Sequence, residues 1–316
     1  MSTRIWGAGS GAGSDNDLST AANWTGDTLP TNWDDVLFDG TVNTAVTAGL
    51  TALAGIGLTS FIVTDEYTGY IGTDTTSCSI SAQVFVFSGL GTTSSYFSGS
   101  TDATYTTGLE SARVTDSSTS VYFTGTIGTL ELMKGTTVVE TGSIVTTLNC
   151  SFIDGSGDVA LTIEDSATVT TINQYGGTVT NDSTTAVTTV NLERGTYYHN
   201  DANLTTLNQK SGSFYFSAEG HTITLVTITG GTFTCEDNTS AKIITSLVMW
   251  PTSVVYLSND AYNVDVTNGI TWYGGKLEVD RGRKLYFSES AVPSASVSAS
   301  PTTSPSASPS SSPSAS

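Results

Sequence analysis

The sequence predicts an all-β fold, a single-stranded parallel β-helix, and three observations carry that reading. Thr, Ser, Gly and Val dominate while Leu, Lys, Glu and Arg are scarce, a composition that disfavours helices and favours strands. Apolar residues make up 37% and lie in short runs, so the core is expected to be thin and extended. Most telling, one motif is written four times: Val145-Thr-Thr-Leu148-Asn149, Val169-Thr-Thr-Ile172-Asn173, Val187-Thr-Thr-Val190-Asn191 and Leu204-Thr-Thr-Leu207-Asn208. Looser copies end at Leu130, Ile228 and Leu247, which gives a mean spacing of 19.5 residues, the longest step of 24 taking up an insert around Gly155-Ser-Gly157. Self-similarity at such a period marks a stacked repeat.

The first element of each repeat is the Val-Thr-Thr-Leu strand, whose apolar residues are expected to face inward and whose Thr residues face out. Asn149, Asn173, Asn191 and Asn208 end it and are expected to form an internal ladder, each side-chain amide bonding the next. The turn preference of Asn is the alternative account. Next comes a glycine: Gly135, Gly177, Gly195, Gly212 and Gly275 each follow the apolar position by five residues and are expected to form a column of turns. A second short strand follows, such as Thr178-Val179, Thr196-Tyr197-Tyr198 or Ser213-Phe214-Tyr215, and then a polar turn such as Asn200-Asp201-Ala202-Asn203. A coil of about 20 residues is too short for a propeller blade and lacks the Leu density of a leucine-rich repeat. Twelve coils or so, at ~4.8 Å each, are expected between residues 45 and 289, a rod of roughly 55 to 60 Å.

Residues 1–44 are expected to be an N-terminal cap or attachment segment, because Trp6, Trp24, Trp33 and Phe38 would plug the open end of a solenoid. The glycine-rich run from Gly7 to Ser14 has no Lys at a phosphate-loop position, so nucleotide binding is not expected. Residues 290–316 are a Ser/Pro/Ala-rich tail with five of the seven prolines and no charged or aromatic residue, a composition expected to be disordered.

The net charge of −19 repels phosphate backbones and anionic surfaces, so no nucleic-acid or membrane partner is expected. No apolar stretch is long enough to span a bilayer, and Met1–Trp6 does not resemble a signal peptide, so synthesis in the cytoplasm without export is expected. The three cysteines, Cys78, Cys150 and Cys235, are odd in number and far apart, which fits reduced, buried thiols.

Trp6, Asn23-Trp24-Thr-Gly, Pro30 and Asp34-Asp35-Val36-Leu-Phe38, then Leu58-Thr-Ser-Phe61 and Tyr67-Thr-Gly69-Tyr-Ile-Gly72, the Thr-Thr-Leu-Asn coils and the Ser-Pro-Ser-Ala tail together resemble β-helical proteins of tailed-bacteriophage particles. The same patterns are also similar to autotransporter and other surface β-helices. The phage resemblance covers most of the chain and implies a non-enzymatic structural role on the virion exterior: capsid decoration, head fibre or tail-associated rod. It further implies a homo-oligomer, often a trimer, with capsid or tail proteins as partners and no cofactor.

Two other functions compete, a β-helical polysaccharide depolymerase or lyase and a bacterial surface adhesin. An enzyme needs clustered carboxylates, and the densest polar neighbourhood is Glu193-Arg194, His199 and Asp201 with Asp182 one coil earlier. These residues fall in turns, where charge is ordinarily solvated, so no catalytic site is expected. His199 and His221 are expected to be surface turn residues, too few for a zinc site. Tyr197, Tyr198, Tyr215, Trp250, Tyr256, Trp272 and Tyr273 offer a stripe for subunit contact or surface glycans, of which alternation would bury about half.

Overall fold

A computed structural model describes residues 2–11, 16–100, 108–117, 119–150, 159–235, 242–257, 264–278 and 285–287, the last three and 264–265 by backbone alone. The insert around Gly155–Gly157 and the tail 290–316 lie outside the described residues.

The chain is an all-β parallel solenoid of about ten turns. Its strands join in two parallel ladders that share four long strands: Cys78–Phe87, Ser120–Leu132, Thr222–Cys235 and Lys242–Leu257. The first ladder climbs from Thr3–Ile5 through Asp35–Phe38, Gly57–Val63 and Cys78–Phe87 to the repeats Ile144–Cys150, Thr168–Gln174, Val187–Leu192 and Leu204–Gln209. The second contains Ser95–Gly99, Gly135–Val139, Val159–Ile163, Thr178–Asn181, Thr196–His199 and Ser213–Phe216. The parallel ladder therefore begins within residues 1–44, since Thr3–Ile5 pairs with Asp35–Leu37 and Asp35–Phe38 with Ser60–Val63.

There are fewer turns than the 12 expected because the early coils are longer. Ser60 stands opposite Val84 and Val84 opposite Ser111, steps of 24 and 27 residues, whereas Ser111 to Thr129 takes 18. Ten turns at ~4.8 Å give a rod of roughly 48 Å.

Register explains the sequence pattern. One inward column runs Val36, Phe61, Phe85, Ala112, Leu130, Leu148, Ile172, Val190, Leu207, Val226 and Leu247, all buried. In this column the early coils carry Phe61 and Phe85 and the later ones aliphatic side chains, while the second ladder of the later coils stacks Tyr197, Phe214 and Phe233. The partner of Leu207 is Val226, not Ile228, which lies two residues on and faces inward as well. Because strand side chains alternate with period two, both residues satisfy the pattern and periodicity alone cannot choose between them.

At the N-terminal end Trp6 and Trp24 pack edge to face at 5.3 Å, Trp6 stacks on Phe38 at 5.7 Å, and Phe38 reaches Phe61 at 5.4 Å. The Trp24 indole N–H donates to the Leu18 carbonyl at 2.9 Å. Trp33 has half its surface exposed, at a positive φ of 70°. Beside it the buried Asp34 carboxylate accepts hydrogen bonds from the Ser2 N–H at 2.7 Å and the Arg4 guanidinium at 3.3 Å, which fastens the first strand to the second. Burial alone would raise the Asp34 pKa, but hydrogen bonds from Ser2, Thr31 and Arg4 outweigh it and hold the group at about 2.

Candidate functional site: an outer trough along the ladder

The four asparagines form a continuous ladder. The Asn173 amide N–H donates to the Asn149 carbonyl oxygen at 2.9 Å, Asn191 to Asn173 at 2.8 Å, and Asn208 to Asn191 at 2.9 Å. The ladder is on the outer face and not internal as expected. Leu148 and Cys150 point inward and are buried, and Asn149 between them is only half-buried. Parity decides this: a residue flanked by two inward neighbours must face out. Each amide has two N–H donors and two acceptor positions; within the row Asn173 and Asn191 engage one of each, Asn149 only its carbonyl oxygen and Asn208 only its N–H.

The inward residue that follows Asn173 and Asn208 is a glutamine that serves the turn. Buried Gln174 donates through Nε2 to the carbonyls of Gly177 and Thr196, both at 3.0 Å. Gln209 does the same to Gly212 at 3.0 Å and Thr232 at 2.9 Å. These clamps tie one glycine turn to the strand of the next coil. Sequence reasoning passed over them, although the signal is visible as the dipeptide Asn-Gln at 173–174 and 208–209.

The glycine turns stack as a column. Gly135, Gly177, Gly195, Gly212 and Gly275 all have positive φ, and Gly231 belongs with them at 83°. It lies five residues after Val226, which the misplaced register at Ile228 had concealed. At Gly195 the conformation and the space are both restrictive: φ is 91°, and a Cβ would lie 2.3 Å from the Gly177 carbonyl oxygen in the coil below.

Between ladder and turns lies a trough of about 410 Å³. Its floor is Asn173, Asn191, Asn208 and Thr227, and its wall is Tyr175, Glu193, Lys210 and Thr229. Lys210 Nζ meets Glu193 Oε1 at 2.5 Å across one coil step. Arg113–Glu131 at 2.7 Å and Lys134–Asp116 at 2.8 Å repeat this coil-to-coil pattern.

The polar neighbourhood singled out from sequence does not converge. Glu193 faces Lys210, Asp182 accepts from Asn200 at 2.8 Å, and Asp201 pairs with His221 at 2.7 Å. His199 departs from its expected surface position, being fully buried in the inward column between Asn181 and Phe216. Its ring lies 6.1 Å from the rings of both Tyr197 and Phe214. The neutral tautomer satisfies both nitrogens: Nε2–H donates to the Ala202 carbonyl at 3.2 Å, and Nδ1 accepts from Asn181 Nδ2 at 3.3 Å. Burial lowers the His199 pKa to about 4. Tyr197 is likewise buried and leaves the expected outer stripe, whereas Tyr198, Trp250, Trp272 and Tyr273 are exposed.

All three cysteines are free and buried, and burial pushes the Cys78 and Cys235 thiols up to about 12. Among the described residues no three His, Cys, Asp or Glu side chains are grouped so as to hold a metal ion. Among the same residues no helix is long and apolar enough to cross a membrane. No family model, no curated protein and no solved structure matches the chain.

Proposed function

We propose that this chain is a structural rod of a bacteriophage particle, exposed on its exterior as capsid decoration, fibre or tail-associated element. The observation that carries the reading is where the repeated chemistry goes. The asparagine ladder, the glutamine clamps and the ion pairs each join one coil to the next, so the side chains that recur build length and stiffness. The acidic balance of −19 suits a surface that stays solvated and does not adhere to nucleic acid. In this reading the rods associate as homo-oligomers, trimers above all, and attach to capsid or tail proteins without a cofactor. Immunogold labelling of purified particles with an antibody to the rod tests it. Regularly placed label on the particle is expected, and absence of the chain from purified particles refutes it.

The trough favours a second reading, contact with a surface glycan or its depolymerisation, because an amide floor beside Tyr175 suits a polyhydroxylated chain. Release of reducing or unsaturated sugar from bacterial polysaccharide would select this reading over the first.

A further inference from the structure

In the early coils the second ladder carries an aromatic pair on its outer face. Tyr96 pairs with Tyr122, each is half-buried between two inward neighbours, and their rings stack at 4.5 Å with 12° between the planes. Tyr122 thus covers one face of the Tyr96 ring. On the other side the preceding coil passes through Ile71-Gly72. There the Tyr96 N–H donates to the Ile71 carbonyl at 2.8 Å, and a Cβ on Gly72 would lie 2.4 Å from the Tyr96 carbonyl oxygen and 3.1 Å from the Tyr96 Cβ. The residue next to Tyr96 in that coil is therefore a glycine, with no side chain to stack on the second ring face. A cleft of about 260 Å³ opens there, lined by Tyr70, Gly72, Asp74, Thr93, Ser94 and Tyr96 among others.

The cleft is negatively charged and its charge is unmatched. Asp74 sits in a closed turn, where Thr73 and Thr76 exchange backbone hydrogen bonds at 2.8 and 3.1 Å and the Thr76 N–H also donates to Thr73 Oγ1 at 3.1 Å. Other acidic side chains of the rod hold a cation from a neighbouring coil: Glu193 has Lys210, Asp116 has Lys134 and Asp201 has His221. No basic residue lines this cleft, and among the described residues Asp74 has no ion-pair partner. Burial, Tyr122 and the carboxylates of Asp74 and Glu140 hold the Tyr96 hydroxyl above its ordinary pKa, so the ring stands in a negative field.

We propose that this cleft binds a quaternary ammonium group such as that of choline, seated on the open face of Tyr96 beside Tyr70 with Asp74 as its counter-charge. An aromatic face attracts a cation through its quadrupole, and quaternary ammonium groups are recognised in this way. Such a group has no N–H to satisfy, so a ring and a carboxylate serve it, and the hydroxyls of Thr93 and Ser94 stand ready for a polar tail. The volume is below the roughly 300–1,000 Å³ of sites for drug-sized ligands and suits a single headgroup. A phosphate beside the ammonium would be repelled by Asp74 and Glu140, so the ligand is choline-like and not a phosphocholine headgroup.

Saturation-transfer NMR on the N-methyl protons of choline chloride, with the full-length protein, tests this. A dissociation constant on the order of 1 mM is expected, within the efficiency bounds of so small a ligand. The uncharged isostere of choline, with carbon in place of nitrogen, should bind at least about tenfold more weakly. Tyr96→Leu should weaken choline about two- to thirtyfold and Asp74→Asn about two- to fivefold, whereas Tyr96→Phe keeps the ring and should bind as the parent does. Asp74 is exposed, so Asp74→Asn reads out the site even if Tyr96→Leu does not fold. No transfer to choline at about 10 mM, equal binding of the isostere, or binding that neither substitution weakens overturns the proposal. Phosphocholine that binds as tightly as choline also overturns it, because the ligand would then be a phosphate-bearing headgroup.

Discussion

Replacing Gly195 by Ala tests whether the glycine column is a packing requirement or only a conformational preference. Two penalties apply at this position. A φ of 91° costs a residue with a Cβ about 1–2 kcal/mol. The added methyl would also sit 2.3 Å from the Gly177 carbonyl oxygen and 2.9 Å from Gln174 Nε2, and relieving that overlap by spreading two coils costs about 1–3 kcal/mol more. Gly195→Ala is therefore expected to lose about 2–5 kcal/mol in total. Gly142 supplies the control, since its φ is 77° but a Cβ there meets nothing within 4 Å; Gly142→Ala should lose only about 1–2 kcal/mol. Urea denaturation followed by circular dichroism measures both. If the two variants shift the midpoint equally, the coil-to-coil contact at the turn contributes nothing and the argument for a packed glycine column fails.

Three further outcomes follow from the ladder and the buried ionisable groups. Asn191→Ala removes two rungs of the ladder and Asn149→Ala one, so at about 0.5–1.5 kcal/mol per bond the central substitution should cost about twice the terminal one in urea titrations. Because the folded pKa of His199 is near 4 and the unfolded value is about 6.5, its stabilisation is complete above pH 6.5. It fades as pH falls towards 4, by roughly 3 kcal/mol in total; His199→Phe should flatten thermal stability across that window, and an unchanged profile contradicts the assignment. Asp34, held at about 2, stabilises the fold fully above its unfolded pKa of about 3.9 and loses that contribution as pH falls towards 2. Asp34→Asn should loosen the first strand at neutral pH, seen as faster amide exchange at Thr3–Ile5.

The fold was legible because the Val-Thr-Thr-Leu-Asn unit states its own period and the inward residues repeat by type. What the sequence hid was the face on which polar residues stand. Residue chemistry suggests internal asparagines and an external His199, and the structure inverts both for one cause: strand parity, not residue type, governs the face. In Thr196-Tyr197-Tyr198-His199 the first Tyr and the His share the inward face, and Asn181 one coil earlier supplies the partner that makes a buried imidazole tolerable. The trough was less visible still. Its wall residues Tyr175, Glu193, Lys210 and Thr229 have nothing in common except register, so no residue type repeats to reveal them. Trp33 differs from Trp6, Trp24 and Phe38 in burial, being half exposed where they are fully buried.

The steps of the ladder have a consequence for how such a chain changes its size. From Ile172 to Val190 and from Val190 to Leu207 the chain advances one rung in 18 and 17 residues, and each coil bonds only to the coils beside it. Duplicating or excising one such unit between equivalent positions would leave every remaining rung with a neighbour of the same kind. The molecule then behaves as a ruler whose reach is a count of units, adjustable in increments of ~4.8 Å without a new folding problem to solve.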